Sequence, residues 1–175
     1  LACEAGIFVV ELMKQQEVWE AEERIRGDFL DDLLEGSWAQ QEDAFHRGRR
    51  LGFDLERPFV MLAIEEKRVK GKLPSALEQE RKKYFHLWVR AFLNKKELEG
   101  LIRESQNHVI AFVSLPDEEC DFESLISSFQ ADLSQRMASL ISVGISQVQR
   151  GISNLTESLE EARLALQLGT KLNGE

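Results

Sequence analysis

Cysteine and proline are scarce in this chain, and positive charge is in the minority. Cysteine occurs twice in 175 residues, at Cys3 and Cys120, with no partner residues at metal-ligand spacing. Two thiols cannot build a disulfide framework, so a reducing cytoplasm is the plain expectation. No apolar run approaches the ~20 residues that span a bilayer, so no membrane partner is expected. The run from Ile7 to Val10 is too short for a signal-peptide core, and Glu4 and Glu11 flank it where a signal carries positive charge. Lysine and arginine number 22 against 31 acidic residues, a formal net charge of −9. Phosphate binding needs concentrated cations, so no duplex-DNA surface is expected here. The basic groups (Arg47, Arg49, Arg50; Arg81, Lys82, Lys83; Lys95, Lys96) could form an anion site, but a solvated helix face is the plainer reading. The chain has no initiator Met and opens inside what reads as a helix, so it is expected to be cut from something longer.

Proline is absent from the first 57 residues, and what is there is helical patterning. Leu12, Val18, Ile25, Phe29 and Leu33 recur mostly at spacings of three, four or seven, with Trp19 and Leu30 beside them; this marks a long amphipathic helix from Ala2 to about Glu35. Gly27 weakens it by roughly 1 kcal/mol against Ala, and Gly36 is a natural stop. Ser37 with Gln40 has the pattern of a capping box for a second helix ending near Gly52. After Pro58, the run Phe59-Val60-Met61-Leu62-Ala63-Ile64 reads as a buried strand. Ser75 with Glu78 opens a helix to about Asn94, with an apolar face of Leu77, Tyr84, Leu87, Trp88, Ala91 and Phe92.

Residues 98–104 and 108–115 read as a hairpin. Asp121 caps a helix carrying Phe122, Leu125, Ile126, Phe129, Leu133 and Met137; residues 140–145 are a strand; a last helix from near Asn154, boxed by Glu157, carries Leu155, Leu159, Ala162 and Leu166. The order from Pro58 onward is strand, helix, strand, strand, helix, strand, helix. It predicts an α+β, ferredoxin-like antiparallel sheet with two helices on one face, preceded by the helical arm. The expected organisation is an arm over residues 1–36 and a domain over residues 37–175. The core is expected around Leu62, Ile64, Trp88, Ile110, Phe112, Phe129, Val143 and Leu166.

Three stretches resemble PucR/CdaR-type bacterial transcription regulators. Arg26-Gly27-Asp28-Phe29-Leu30-Asp31-Asp32-Leu33-Leu34-Glu35-Gly36 is similar to the linker between their sensor and GGDEF-like domains. Residues 47–58, from Arg47 to Pro58, resemble the lead-in to the first strand, with Gly48 where that family often has Ala. Ser142-Val143-Gly144-Ile145, followed by residues 159–169, resembles the domain's ending, with Ser146 in place of a second glycine. The resemblance implies a degenerate GGDEF-like fold from about Arg26 onward. It also implies that residues 1–25 end a preceding GAF-type sensor, and that DNA is bound only through a C-terminal helix-turn-helix domain beyond this sequence.

Active GGDEF domains make cyclic di-GMP with two glycines and a carboxylate on the hairpin, where backbone approaches nucleotide and the acid helps hold metal. Aligned by Arg103, those positions fall on Ser105, Gln106, Asn107, His108 and Val109. On the first strand, Ala63 and Glu65 stand where cyclases place metal-binding aspartates. No cyclase activity, metal or cofactor is therefore expected, and the reading is a fold kept after its chemistry was lost. His46, His86 and His108 lie on separate elements; His86 reads as a packed or surface histidine. Cys120 precedes a helix N-terminus, which favours thiolate, but it has no recognisable base. Gly144 and Gly151 form no phosphate-loop pattern.

The function these residues point to is a non-enzymatic signal-relay and dimerisation module. The alternative is a sensor binding a small-molecule effector or nucleotide without turnover. A homodimer through the arm is expected, with Val18, Ile25, Phe29 and Leu33 at the contact. Folding of that stripe back onto the domain is the other way to bury it.

Overall fold

The computed structural model describes residues 2–67, 75–104, 108–117, 121–137 and 140–172. With no proline to interrupt it, the N-terminal segment forms one continuous helix, α1 (Ala2–Glu35). It stops at Gly36, whose φ of 66° is the left-handed conformation that suits glycine. The Ser37 N–H then donates to the Asp32 carbonyl at 3.2 Å, closing a Schellman-type end. The Ser37 hydroxyl turns back as well, donating to the Glu35 carboxylate at 3.4 Å. α2 (Gln41–Arg50) starts instead after Gln40, with no side-chain capping bond, so the expected Ser37–Gln40 box does not form.

β1 (Phe59–Lys67), α3 (Ser75–Lys95), β2 (Gly100–Glu104), β3 (His108–Ser114), α4 (Phe122–Met137) and β4 (Leu140–Ile145) follow, then a short 3-10 turn and α5 (Leu155–Leu172). The sheet order is β2-β3-β1-β4, and the β1–β3, β1–β4 and β2–β3 pairs are all antiparallel. This is the split βαβ arrangement expected from the element order. Asp121 caps α4 as expected, its carboxylate accepting from the Ser124 N–H at 3.2 Å.

Alternation along the strands builds two cores. Phe59, Met61, Ala63, Leu101, Ile110 and Phe112 face one way, against Phe29, Leu30 and Leu33 of α1, Ala44 of α2, and Leu155, Leu159, Ala162 and Leu166 of α5. Val60, Leu62, Ile64, Val109, Ala111 and Val113 face the other way, against Phe85, Val89, Phe92 and Leu93 of α3 and Phe129 and Leu133 of α4. The sheet is thus covered on both faces, which explains the near-continuous apolar character of β1 and β3. Of the expected core residues, Trp88 and Val143 are half-buried and the other six are buried.

Two further sequence expectations are corrected. On α3 the sheet-facing stripe is Phe85, Val89, Phe92 and Leu93, while Tyr84 is exposed. Residues 84, 88 and 91 and residues 85, 89 and 92 are equally good helical stripes, and periodicity cannot choose between neighbours about 100° apart. Leu77, Phe122 and Met137 have side chains outside the described set. The boundary at Gly36 separates two helices but not two cores, because Phe29, Leu30 and Leu33 are integral to the domain interior.

Candidate functional site

Where α1 crosses the outer edge of the sheet, Gly27 lies against β2. A Cβ there would stand 3.4 Å from the Ile102 carbonyl. Around this crossing lies a buried polar cluster. Glu23 of α1 accepts from Arg90 of α3 through Nε at 3.1 Å and Nη2 at 2.8 Å, both to Oε2. His86 Nε2 lies 3.1 Å from the same oxygen, and Arg26 Nη1 lies 3.2 Å from Oε1. Arg90 also donates through Nη1 to the Gly100 carbonyl at 2.7 Å. His86 Nδ1 reaches to 3.5 Å from Glu104, and Trp19 meets the imidazole edge-on at a centroid distance of 6.4 Å.

Glu23 and Arg90 are 7% and 6% exposed, so each depends on the other for its charge. Burial alone pushes the Glu23 carboxyl up, but the His86 hydrogen bond and the Arg90 guanidinium together hold it below the ordinary glutamate range. Burial lowers Arg90 from its usual value, with Glu23 opposing. A carboxylate engaged by two arginines and a histidine is no free base; chemically, the cluster fastens α1 to α3 and β2.

The rest of the Arg26–Gly36 stretch works the same way. Arg103 on β2 bridges Asp31 at 2.8 Å and Asp28 at 3.7 Å. Burial, only partly offset by Arg103, pushes the Asp31 carboxyl up, with Asp28, Glu35 and Asp32 adding to it. Asp32 pairs with Arg47, whose guanidinium sits 5.1 Å from the centre of the Phe29 ring. Arg49 pairs with Glu56 at 2.6 Å, so two members of that basic group serve internal ion pairs.

The four residues expected at a self-association contact divide into two pairs. Phe29 and Leu33 are core residues, 1% and 2% exposed, whereas Val18 and Ile25 are exposed at 58% and 49%. An α-helix has 3.6 residues per turn, so each four-residue step drifts by about 40°. The drift puts Val18 and Ile25 on the solvent side and Trp19, Glu23, Leu30 and Leu33 toward the domain. The expected stripe merges two faces. Val18 and Ile25, seven apart, form the outward one, and Val10 is exposed as well.

At the far end of β1, Glu65 stands opposite His108 on β3 and Ser142 on β4. Ala63 and Val109 are buried. Ser105, Gln106 and Asn107, the other signature positions, lie outside the described residues, as does Cys120. Among the described residues, no group of three or more His, Cys, Asp or Glu could hold a metal ion, and no described helix is long and apolar enough to cross a membrane. Between α3, α4 and the sheet there is an apolar cavity of about 10 Å³, lined by residues including Leu62, Phe92, Val113 and Phe129.

The stretch at the chain's end is explained by packing. A Cβ at Gly144 would lie 2.0 Å from the Ala162 carbonyl of α5, so Gly144 and Ala162 are one close helix–strand contact. The Ser146 hydroxyl accepts from the Met61 N–H at 2.9 Å and donates to the Gln147 carbonyl at 2.9 Å, extending the β1–β4 pairing. Residues 35–168 match the GGDEF-like domain family. The chain belongs to that family. No curated protein matches it. The GGDEF-like match begins at the last residue of α1, so the helix that completes this domain's core precedes the matched segment.

The Glu23–His86–Arg90 cluster was not legible in the sequence, because its members are 63 and 67 residues apart. The one available signal was a helical arm carrying Glu23 at the spacing of the domain-facing stripe.

Proposed function

We propose that this GGDEF-like chain is the catalytically inactive signal-relay and dimerisation module of a PucR/CdaR-type bacterial transcription regulator. The observation that carries the reading is α1 itself. It is a single helix from Ala2 to Glu35, its last turns built into the domain core and its earlier turns exposing Val10, Met13 and Val18. A change of pairing at the outer end of a continuous helix is carried along it toward the core, a bistable element of the usual kind. The outward face of Val18 and Ile25 is the surface through which two copies pair.

Loss of nucleotide chemistry is supported by Ala63 on β1 and by Ser105 to Val109, where neither glycine nor carboxylate stands. The net charge of −9 supports a chain that leaves DNA to another domain. Purified protein incubated with GTP and Mg²⁺ should yield no cyclic di-GMP by chromatography. Accumulating product would overturn the inactive reading.

A further inference from the structure

β2 is an edge strand, and its outer side has its own covering. The Ser114 N–H donates to the Glu99 carbonyl at 2.9 Å, one residue before β2 begins. Antiparallel pairing alternates, so Leu101 and Arg103 turn their backbone groups toward β3, and Gly100, Ile102 and Glu104 turn theirs outward. Two of these outward carbonyls are covered. Arg90 donates to that of Gly100 at 2.7 Å, and Gly27 of α1 lies against that of Ile102. An uncovered edge is a template for unwanted pairing, which a helix laid across it prevents.

The covering is fastened by two chemically different means. Residues 29–33 are held by apolar burial of Phe29, Leu30 and Leu33. Residues 23–28 are held by charges: Glu23 with His86 and Arg90, and Asp28 with Arg103. Arg90 joins the two sides, since its guanidinium holds Glu23 through one edge and Gly100 through Nη1. If α1 lifts, Arg90 is left buried without its carboxylate, and it must move toward water, releasing the Gly100 carbonyl.

We propose that residues 23–28 are a detachable strap over the outer edge of β2, and that Arg90 is the positioning residue through which its release reaches that strand. This rests on the relay reading of α1 and names the contact that would carry it.

The test is hydrogen exchange followed by mass spectrometry on the full chain, comparing wild type with Glu23→Gln and Arg90→Lys. Arg90→Lys keeps a cation beside Glu23, but a single ammonium lacks the fork that reaches Glu23 and Gly100 together. Both variants should exchange at least about ten-fold faster over residues 100–104 while β4 and α5 keep their protection. If Glu23→Gln does not fold, Arg90→Lys decides alone. Wild-type protection over 100–104 in Arg90→Lys, or an increase spread evenly over β1, β3 and α5, would overturn the strap. Such a failure leaves relay by helix pairing standing. Failure of pairing, read by light scattering, leaves the exchange result standing.

Discussion

Replacing Gly144 with Ala adds one methyl group at the tightest approach among the described glycines. The new Cβ would lie 2.0 Å from the Ala162 carbonyl oxygen, 2.4 Å from the Leu166 nitrogen and 2.8 Å from the Leu166 Cβ. Backbone on both sides means no side chain can swing away, so α5 must lift from β4 by more than an ångström. Leu155, Leu159 and Leu166, all buried against β1 and its neighbours, would move with it. Overpacking of this kind costs about 1–3 kcal/mol, and a backbone clash sits at or above the upper end. At about 2–4 °C per kcal/mol for a chain of this size, the melting temperature should fall by roughly 6–12 °C. Gly169 on the same helix is the control. A Cβ there meets nothing within 4 Å, so Gly169→Ala should be neutral or stabilising by up to ~1 kcal/mol. Thermal melts followed by circular dichroism compare the two. A Gly144→Ala protein melting within a degree of wild type would refute the close-packing argument.

Phe112 is fully buried and stacks on Phe59 at 4.6 Å, so Phe112→Ala should cost about 3–5 kcal/mol by denaturant titration. The Ser114 hydroxyl is buried with no hydrogen-bond partner among the described residues, so Ser114→Ala should leave stability unchanged or raise it. Glu23 has a folded-state pKa below its ordinary value, so its contribution is present above the unfolded value of about 4.3 and fades as pH falls through the folded one. The stability gap between wild type and Glu23→Gln, measured by urea titration, should therefore be full at pH 7 and narrow below about pH 4.

The sheet order was legible because each strand and helix carries its own period and the element sequence admits few topologies. Strand 140–145 and the α5 face of Leu155, Leu159, Ala162 and Leu166 followed directly from that periodicity. What periodicity could not supply was the choice between adjacent stripes. It took Tyr84 for Phe85 on α3, and it joined Val18 and Ile25 to Phe29 and Leu33 on α1. The polar fastening of α1 stayed hidden for a different reason. Glu23 reads in sequence as one more surface acid among Glu17, Glu20 and Glu22, and only the fold brings His86 and Arg90 to it. Phe29→Asp consequently cannot probe self-association, since it would place a carboxylate in the core.

The most direct test of the relay and dimerisation account is the mass of the intact chain by light scattering up to about 100 µM. A micromolar dissociation constant corresponds to about 8 kcal/mol, well within that window. The expected result is a concentration-dependent dimer that Val18→Asp with Ile25→Asp converts to a folded monomer, its circular dichroism unchanged because both positions face solvent. A wild-type chain that stays monomeric at every concentration, or a dimer indifferent to both substitutions, would contradict it.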